Sequence, residues 1–177
     1  NQKELEYKLS QISGFQNPKI TLDQYSTSPK IAASILTTMN ERTPLANKLI
    51  ADFGAGTGMF SFGLTLYAHR RVISFVHAYE IDIDAIQTFK ETQEFLEITK
   101  IDVINTDILT YNFPNGLFVI LLGYSSNESS VGRFGSEDID LIFVEKAIKA
   151  CNGFVFVFHK ETRLKVNKKK LEKLCEQ

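Results

Sequence analysis

The chain has 177 residues, 44% of them hydrophobic and 23% charged, with a formal net charge of -1 at pH 7. That length and apolar content suffice for one domain whose core needs neither disulfides nor a structural metal. Near-neutral charge excludes binding to nucleic acid through bulk charge, so such a contact has to come from a local basic patch or a partner. Cys151 and Cys175 lie far apart, and neither they nor the histidines have metal-ligand spacing. Free thiols in a reducing compartment, and no metal site, are expected. No apolar run approaches the roughly 20 residues of a membrane span and no signal peptide is visible, so no membrane partner is expected. The chain opens on Asn1 and not on methionine, so its numbering is expected to begin inside a longer product.

Leu5, Leu9 and Ile12 recur at helical spacing and predict a helix over 3–12, stopped at Ser13-Gly14. Residues 17–27 read as an irregular, proline-punctuated segment. Ser28-Pro29 then opens a helix to about residue 39, with serine as N-cap and proline at the first helical position. A strand is expected over 48–53, a helix over 58–68, and a continuous apolar strand over 72–79 ending in Glu80. Asp82 caps a helix carrying Ile86, Phe89 and Phe95. Strands follow over 101–104 and 117–122, then a polar loop, a helix over 138–150, a strand over 154–158 and a basic helix from Leu164 to the end. The strands are runs of Val, Ile and Phe without polar alternation, which is the mark of a parallel sheet covered on both faces. The expected fold is α/β: one domain over 1–177 with a doubly wound, mostly parallel, Rossmann-like sheet. Its ligand belongs at the carboxyl ends of the strands, near the switch point.

The most informative stretch is Asp52-Phe53-Gly54-Ala55-Gly56-Thr57-Gly58, where a strand breaks into three alternating glycines. Glycine lets bare backbone approach a ligand. A dinucleotide fingerprint would need glycine at Met59, and a Walker loop would need lysine after Gly58. The spacing after an acidic residue resembles the S-adenosylmethionine loop of class I methyltransferases, whose ligand is a zwitterionic amino acid and has no pyrophosphate. Glu80, at the end of the second strand with Ile81 beside it, is placed to accept hydrogen bonds from both ribose hydroxyls. Asp107, just past the third strand, is placed to accept from the adenine amino group, with Ile108 against the ring. Each feature also has a plain reading: a tight turn, an acid at a helix start, a turn aspartate. Together they outline an adenosine pocket.

Two elements narrow the class: Gly14-Phe15-Gln16-Asn17-Pro18-Lys19, and Leu22-Asp23-Gln24-Tyr25-Ser26-Thr27-Ser28-Pro29-Lys30-Ile31-Ala32-Ala33. They resemble the methyltransferase-like protein 5 family, which modifies 18S ribosomal RNA at adenine N6. That family carries Gly-Phe-x-x-Pro-Lys and Leu-Glu-Gln-Tyr-x-Thr-x-Pro-x-Ile-Ala-Ala before its glycine loop. The resemblance continues through Asn47-Lys48, Glu80-Ile81-Asp82, Thr106-Asp107 and Phe158-His159-Lys160, and spans about residues 5–170. It implies a cofactor site of Gln24, Tyr25, Thr27, Asp52, Gly54, Gly56, Gly58, Glu80, Ile81, Asp107 and Ile108. In that site Gln24, Tyr25 and Thr27 close over the methionine end of S-adenosylmethionine. It also implies ribosomal RNA as substrate, work in the cytoplasm or nucleus, and a small zinc-containing activator at the sheet edge. The strand over 101–104 is the candidate edge.

The chain departs from the family after the fourth strand. There the family sets Asn-Pro-Pro-Phe, whose asparagine and a proline carbonyl hold the target amine while the aromatic ring stacks on the flipped base. Here the sequence runs Gly123-Tyr124-Ser125-Ser126-Asn127 and on to Gly132-Arg133-Phe134-Gly135-Ser136. Phe134 is the matching aromatic by resemblance, and no catalytic residue is assigned. The resemblance also implies a terminal hairpin, and because the chain stops at Gln177 without it, omitted or disordered residues are expected in preference to a reduced relative. The basic stretch of Lys160, Arg163, Lys165, Lys168, Lys169, Lys170 and Lys173 reads either as a solvated helix face or as a phosphate contact. Three functions stay open: an adenine N6-methyltransferase of ribosomal RNA, an impaired relative serving as an RNA- or partner-binding module, and a class I methyltransferase with another substrate.

Overall fold

Five apolar runs become strands: β1 (Leu49–Phe53), β2 (Phe75–Glu80), β3 (Ile101–Asn105), β4 (Leu117–Leu122) and β5 (Cys151–Val157). The computed structural model describes residues 2–22, 24–43, 45–67, 75–113, 117–122, 139–158 and 161–176. The strands lie in the order β3-β2-β1-β4-β5 and every pair is parallel. Six helices accompany them among the described residues: α1 (Gln2–Leu9), α2 (Pro29–Arg42), α3 (Met59–Tyr67), α4 (Ile83–Phe95), α5 (Ile139–Ala150) and α6 (Glu161–Cys175). The order reverses at β1, which stands between β2 and β4. The crevice beyond the carboxyl end of β1 is therefore the place for a ligand.

Alternation along β1 divides the interior. Ile50 joins Leu5, Leu9, Leu36, Phe62 and Phe89 in a cluster on the side of α1 to α4, whereas Ala51 and Phe53 join Tyr79, Phe143, Val144 and Ala147 on the other side. Leu171 and Leu174 of α6 pack on that second cluster. α2 starts where the sequence predicts: the Ser28 hydroxyl accepts from the Ile31 N–H at 3.3 Å, and Pro29 takes the first turn. It seats Ala32, Ala33, Leu36 and Met39 inward and stops as Thr43 turns extended.

Three expectations are corrected at their boundaries. α1 ends at Leu9, and Ile12 is buried from the turn beyond it. A 3-10 turn (Ile20–Leu22) interrupts the segment expected to be irregular. β5 starts directly after α5, at Cys151, because the register shift between Leu117/Cys151 and Val119/Phe154 absorbs Asn152-Gly153 as a bulge. Residues 151–153, outside the strand expected over 154–158, are therefore inside it. Cys151 and Cys175 are free thiols, and no described helix is long and apolar enough to cross a membrane. The expected strand start at 72–74, Asp23, the polar loop with Tyr124, Asn127 and Phe134, and His159-Lys160 lie outside the described residues.

Candidate cofactor site

β1 delivers its chain into the glycine turn. Gly54, Gly56 and Gly58 have φ of 75, 56 and 96 degrees, the left-handed region in which a Cβ is strained. The Gly54 and Ala55 N–H groups both donate to the Tyr79 carbonyl, at 2.9 and 3.1 Å, so the turn hangs on the end of β2. The three glycines do different work. A Cβ on Gly58 would lie 2.4 Å from the Phe62 ring and 2.8 Å from that of Phe89, so its absence lets α3 and α4 close against the turn. One on Gly56 would meet the tip of the Phe15 ring at 2.8 Å. One on Gly54 would meet nothing within 4 Å, which leaves that backbone open to a ligand. Gly58→Ala is therefore expected to cost about 3 kcal/mol or more through overpacking plus backbone strain. Gly54→Ala, with strain alone, should cost about 1–2 kcal/mol. Thermal denaturation of the two variants checks the order.

Asp52 sits beneath this turn, 1% exposed. Its Oδ2 accepts from the Ser61 hydroxyl at 2.7 Å, whereas Oδ1 is buried with no hydrogen-bond partner among the described residues. Burial pushes its pKa up to about 7, the Ser61 bond opposing and the Glu80 charge adding. Glu80, at the end of β2, is nearly as buried. Its Oε2 accepts from the Gly56 N–H at 2.7 Å, and its Oε1 from the Ile81 and Asp82 N–H groups at 2.9 Å each. One carboxylate thus clamps the glycine turn to the β2–α4 junction and keeps about one of its four acceptor positions. Burial raises its pKa too, against the pull of those three amides.

The third strand locks onto the same corner. Asn105 donates through Nδ2 to the carbonyls of Glu80 and Ile81, at 3.1 and 3.0 Å, and the Thr106 N–H donates to the Glu80 carbonyl at 2.9 Å. Asp107 Oδ1 accepts from the Leu109 N–H at 2.9 Å and so shapes its own turn. Ile108 is buried in the cluster that holds Phe53 and Tyr79.

The N-terminal segment straps across this end of the sheet. Phe15 lies on Gly56, and a Cβ on Gly14 would touch the Ser26 hydroxyl at 3.0 Å, so the strap folds back on itself. Gln24 is drawn to the start of α4: its Oε1 accepts from the Lys19 N–H at 2.7 Å and its Nε2 donates to Asp82 Oδ2. Lys19 Nζ bridges Asp82 and Asp84. The Asp82 hydrogen bond, then that of Asp84, raise the Lys19 pKa. Burial opposes ionisation of Asp82, but the Lys19 and Gln24 bonds outweigh it and hold its pKa low. Tyr25 is exposed and Thr27 is half-buried. Ser61, Asn105 and the anchoring roles of Phe15 and Lys19 escape the sequence. Ser61 and Asn105 have no local pattern, whereas Phe15 and Lys19 belong to the Gly14-to-Lys19 element, which is the signal that marks them.

A parallel sheet ordered in this way, with a glycine turn after its central strand and a buried acid closing the neighbouring one, is the arrangement of the class I S-adenosylmethionine-dependent methyltransferases, and this chain is of that class. The sequence profile of the ribosomal RNA adenine dimethylases matches residues 16–159, and the chain belongs to that family. It is 33% identical over 171 residues to the rRNA N(6)-adenosine-methyltransferase METTL5 of Danio rerio, covering 94% of this chain and 78% of that protein. To the rRNA N(6)-adenosine-methyltransferase Mettl5 of Drosophila melanogaster it is 31% identical over 175 residues, covering 96% and 78%. Among solved structures, the protein PH1948 of Pyrococcus horikoshii superposes with a TM-score of 0.77 at 28% identity, over 97% of this chain and 79% of that one.

Proposed function

We propose that the chain transfers a methyl group from S-adenosylmethionine to the N6 amine of an adenosine in ribosomal RNA. The observation that carries the reading is Asp52. A buried carboxylate oxygen short of a donor, beside backbone left open at Gly54, suits the cationic amino group of a methionine moiety. When bound, S-adenosylmethionine supplies an electrophilic methyl group on its sulfonium. Asp52 receives the ammonium, the glycine turn admits the chain of the ligand, and Glu80 takes a ribose hydroxyl with its remaining acceptor position, or two if the Gly56 amide yields. Ile81, Asp107 and Ile108 border the adenine. The strap bearing Gln24, Tyr25 and Thr27 keeps water from the methionine end, with Gln24 acting from its anchorage on Asp82. No residue is assigned to the target amine, because the sequence after β4 has a serine-rich run and no Asn-Pro-Pro-Phe.

Under the same reading a small zinc-containing activator adds a strand to β3, near residues 101–104. β3 is an outer strand of the described sheet, with Val103 and Ile104 half-buried between exposed Asp102 and Asn105. Work on small-subunit ribosomal RNA in the cytoplasm or nucleus belongs to the same reading. The deciding experiment is mass spectrometry of small-subunit rRNA nucleosides from cells with and without the protein, paired with calorimetric titration of the chain by S-adenosylmethionine. Loss of one N6-methyladenosine is expected, together with saturable binding. An unchanged N6-methyladenosine level would overturn the substrate, and absent binding heat would overturn the enzyme.

A further inference from the structure

α6 is apolar on one side and charged on the other. Asn167 is 2% exposed, and Leu171 and Leu174 pack on the core, so the helix is seated by that face. Lys165, Lys169 and Lys173 are all exposed and recur every fourth residue, which places them in one line roughly opposite the seated face. At 1.5 Å per residue the line is about 12 Å long. Lys168 flanks it, with Glu172 3.9 Å from its ammonium. The helix holds six basic residues against two acidic ones, in a chain whose formal charge is -1, so the remainder is acidic. Like charges four residues apart cost an isolated helix about 0.2–0.5 kcal/mol per pair.

Placement gives the line a use. All the strands are parallel, so the carboxyl end of β5 stands at the same end of the sheet as the glycine turn and Glu80. α6 begins at Glu161, shortly after β5 ends at Val157, and Leu171 and Leu174 pack it back onto the second cluster. A strand of RNA leaving the site along this flank would meet cation after cation, at positions that carry no sequence information.

We propose that Lys165, Lys169 and Lys173 form a phosphate-binding stripe that holds ribosomal RNA beyond the target nucleotide. The proposal rests on the rRNA methyltransferase reading above, and its test separates the two. Anisotropy of a fluorescein-labelled 20-base-pair RNA duplex of arbitrary sequence is measured over a KCl series with three proteins. These are the wild-type chain, the Lys165→Gln/Lys169→Gln/Lys173→Gln variant, and a charge-matched Lys3→Gln/Lys8→Gln/Lys90→Gln control. Removing three phosphate contacts should flatten the slope of log K against log[salt] by about 2–3 and weaken low-salt binding at least tenfold. The control should keep the wild-type slope, and all three proteins should bind S-adenosylmethionine alike. A stripe variant with the wild-type slope, or a control that loses as much, overturns the stripe and leaves those lysines to solvation or to an acidic protein surface. Neither result touches the nucleoside measurement by which the methyltransferase reading stands or falls.

Discussion

Asp52→Asn is expected to make the ligand-free protein more stable at pH 8 and to disable its methyl-donor site. The carboxylate is fully buried, one of its two oxygens has no hydrogen-bond partner among the described residues, and its pKa is pushed up to about 7 from an ordinary 3.8. In the unfolded chain it loses its proton near the ordinary value. The folded state therefore holds the extra proton between pH 3.8 and about 7, and stability from this group falls as pH rises through that window. Below it the contribution is fully present, and above about pH 7 it is gone. Asparagine keeps an oxygen for the Ser61 hydroxyl and has no charge to bury. Its stability advantage over wild type should grow by about 2–3 kcal/mol between pH 5 and pH 8, or about 5–10 °C in Tm. Binding should move the other way. A cationic amino group wants the ionised form, so wild-type affinity for S-adenosylmethionine should rise about tenfold from pH 6 to pH 8, whereas Asp52→Asn stays weak and flat. Calorimetry at both pH values, with melting curves of the free proteins, reads both halves. A variant that matches wild-type affinity at pH 8 would remove Asp52 from the site.

That opposition between stability and function was only half legible in the sequence. Asp52, Glu80 and the three glycines stand out because an apolar strand ending in an acid and a broken-glycine turn has few other uses. The strands could be read unequally: β4 is an unbroken Leu, Phe, Val and Ile run and β1 is broken only by Asp52, whereas β2 and β3 mix in His77, Glu80, Asp102 and Asn105. Asn152-Gly153 falls outside the expected strand because Asn and Gly are depleted in strands, and only pairing with β4 shows the bulge that takes them in. The partners of Glu80 were out of reach altogether. Three backbone N–H groups hold it, and backbone donors leave no trace in residue identity. Gln24 shows the converse. Resemblance assigned it to the cofactor lid, and its amide is engaged with Asp82 and Lys19 at the root of that lid. A side chain can serve a site by anchoring the segment that covers it, and sequence alone does not tell anchoring from contact.

Glu80→Gln should lower S-adenosylmethionine affinity about 100-fold while changing stability little. The wild-type carboxylate accepts from Gly56, Ile81 and Asp82, and both oxygens are engaged. An amide has one oxygen. If that oxygen stays with the Ile81 and Asp82 amides, the NH2 group faces the Gly56 N–H, donor against donor, and the glycine turn loses its tether to β2. A ribose hydroxyl loses its charged acceptor at the same time, worth about 1.5–3 kcal/mol per bond. The hundredfold loss corresponds to about 2.7 kcal/mol and so needs little beyond one or two such bonds. Stability is pulled both ways. The Gly56 bond is lost, but so is the burial penalty that raises the Glu80 pKa, and the two act in opposite directions. Glu80→Asp separates charge from reach: it stays anionic yet is one methylene short of Gly56, and affinity should fall there too. Hydrogen exchange at the Gly56 amide supplies the structural readout, with faster exchange expected in both variants. If Glu80→Gln binds within threefold of wild type, the clamp is a feature of the fold alone and the ribose is held elsewhere.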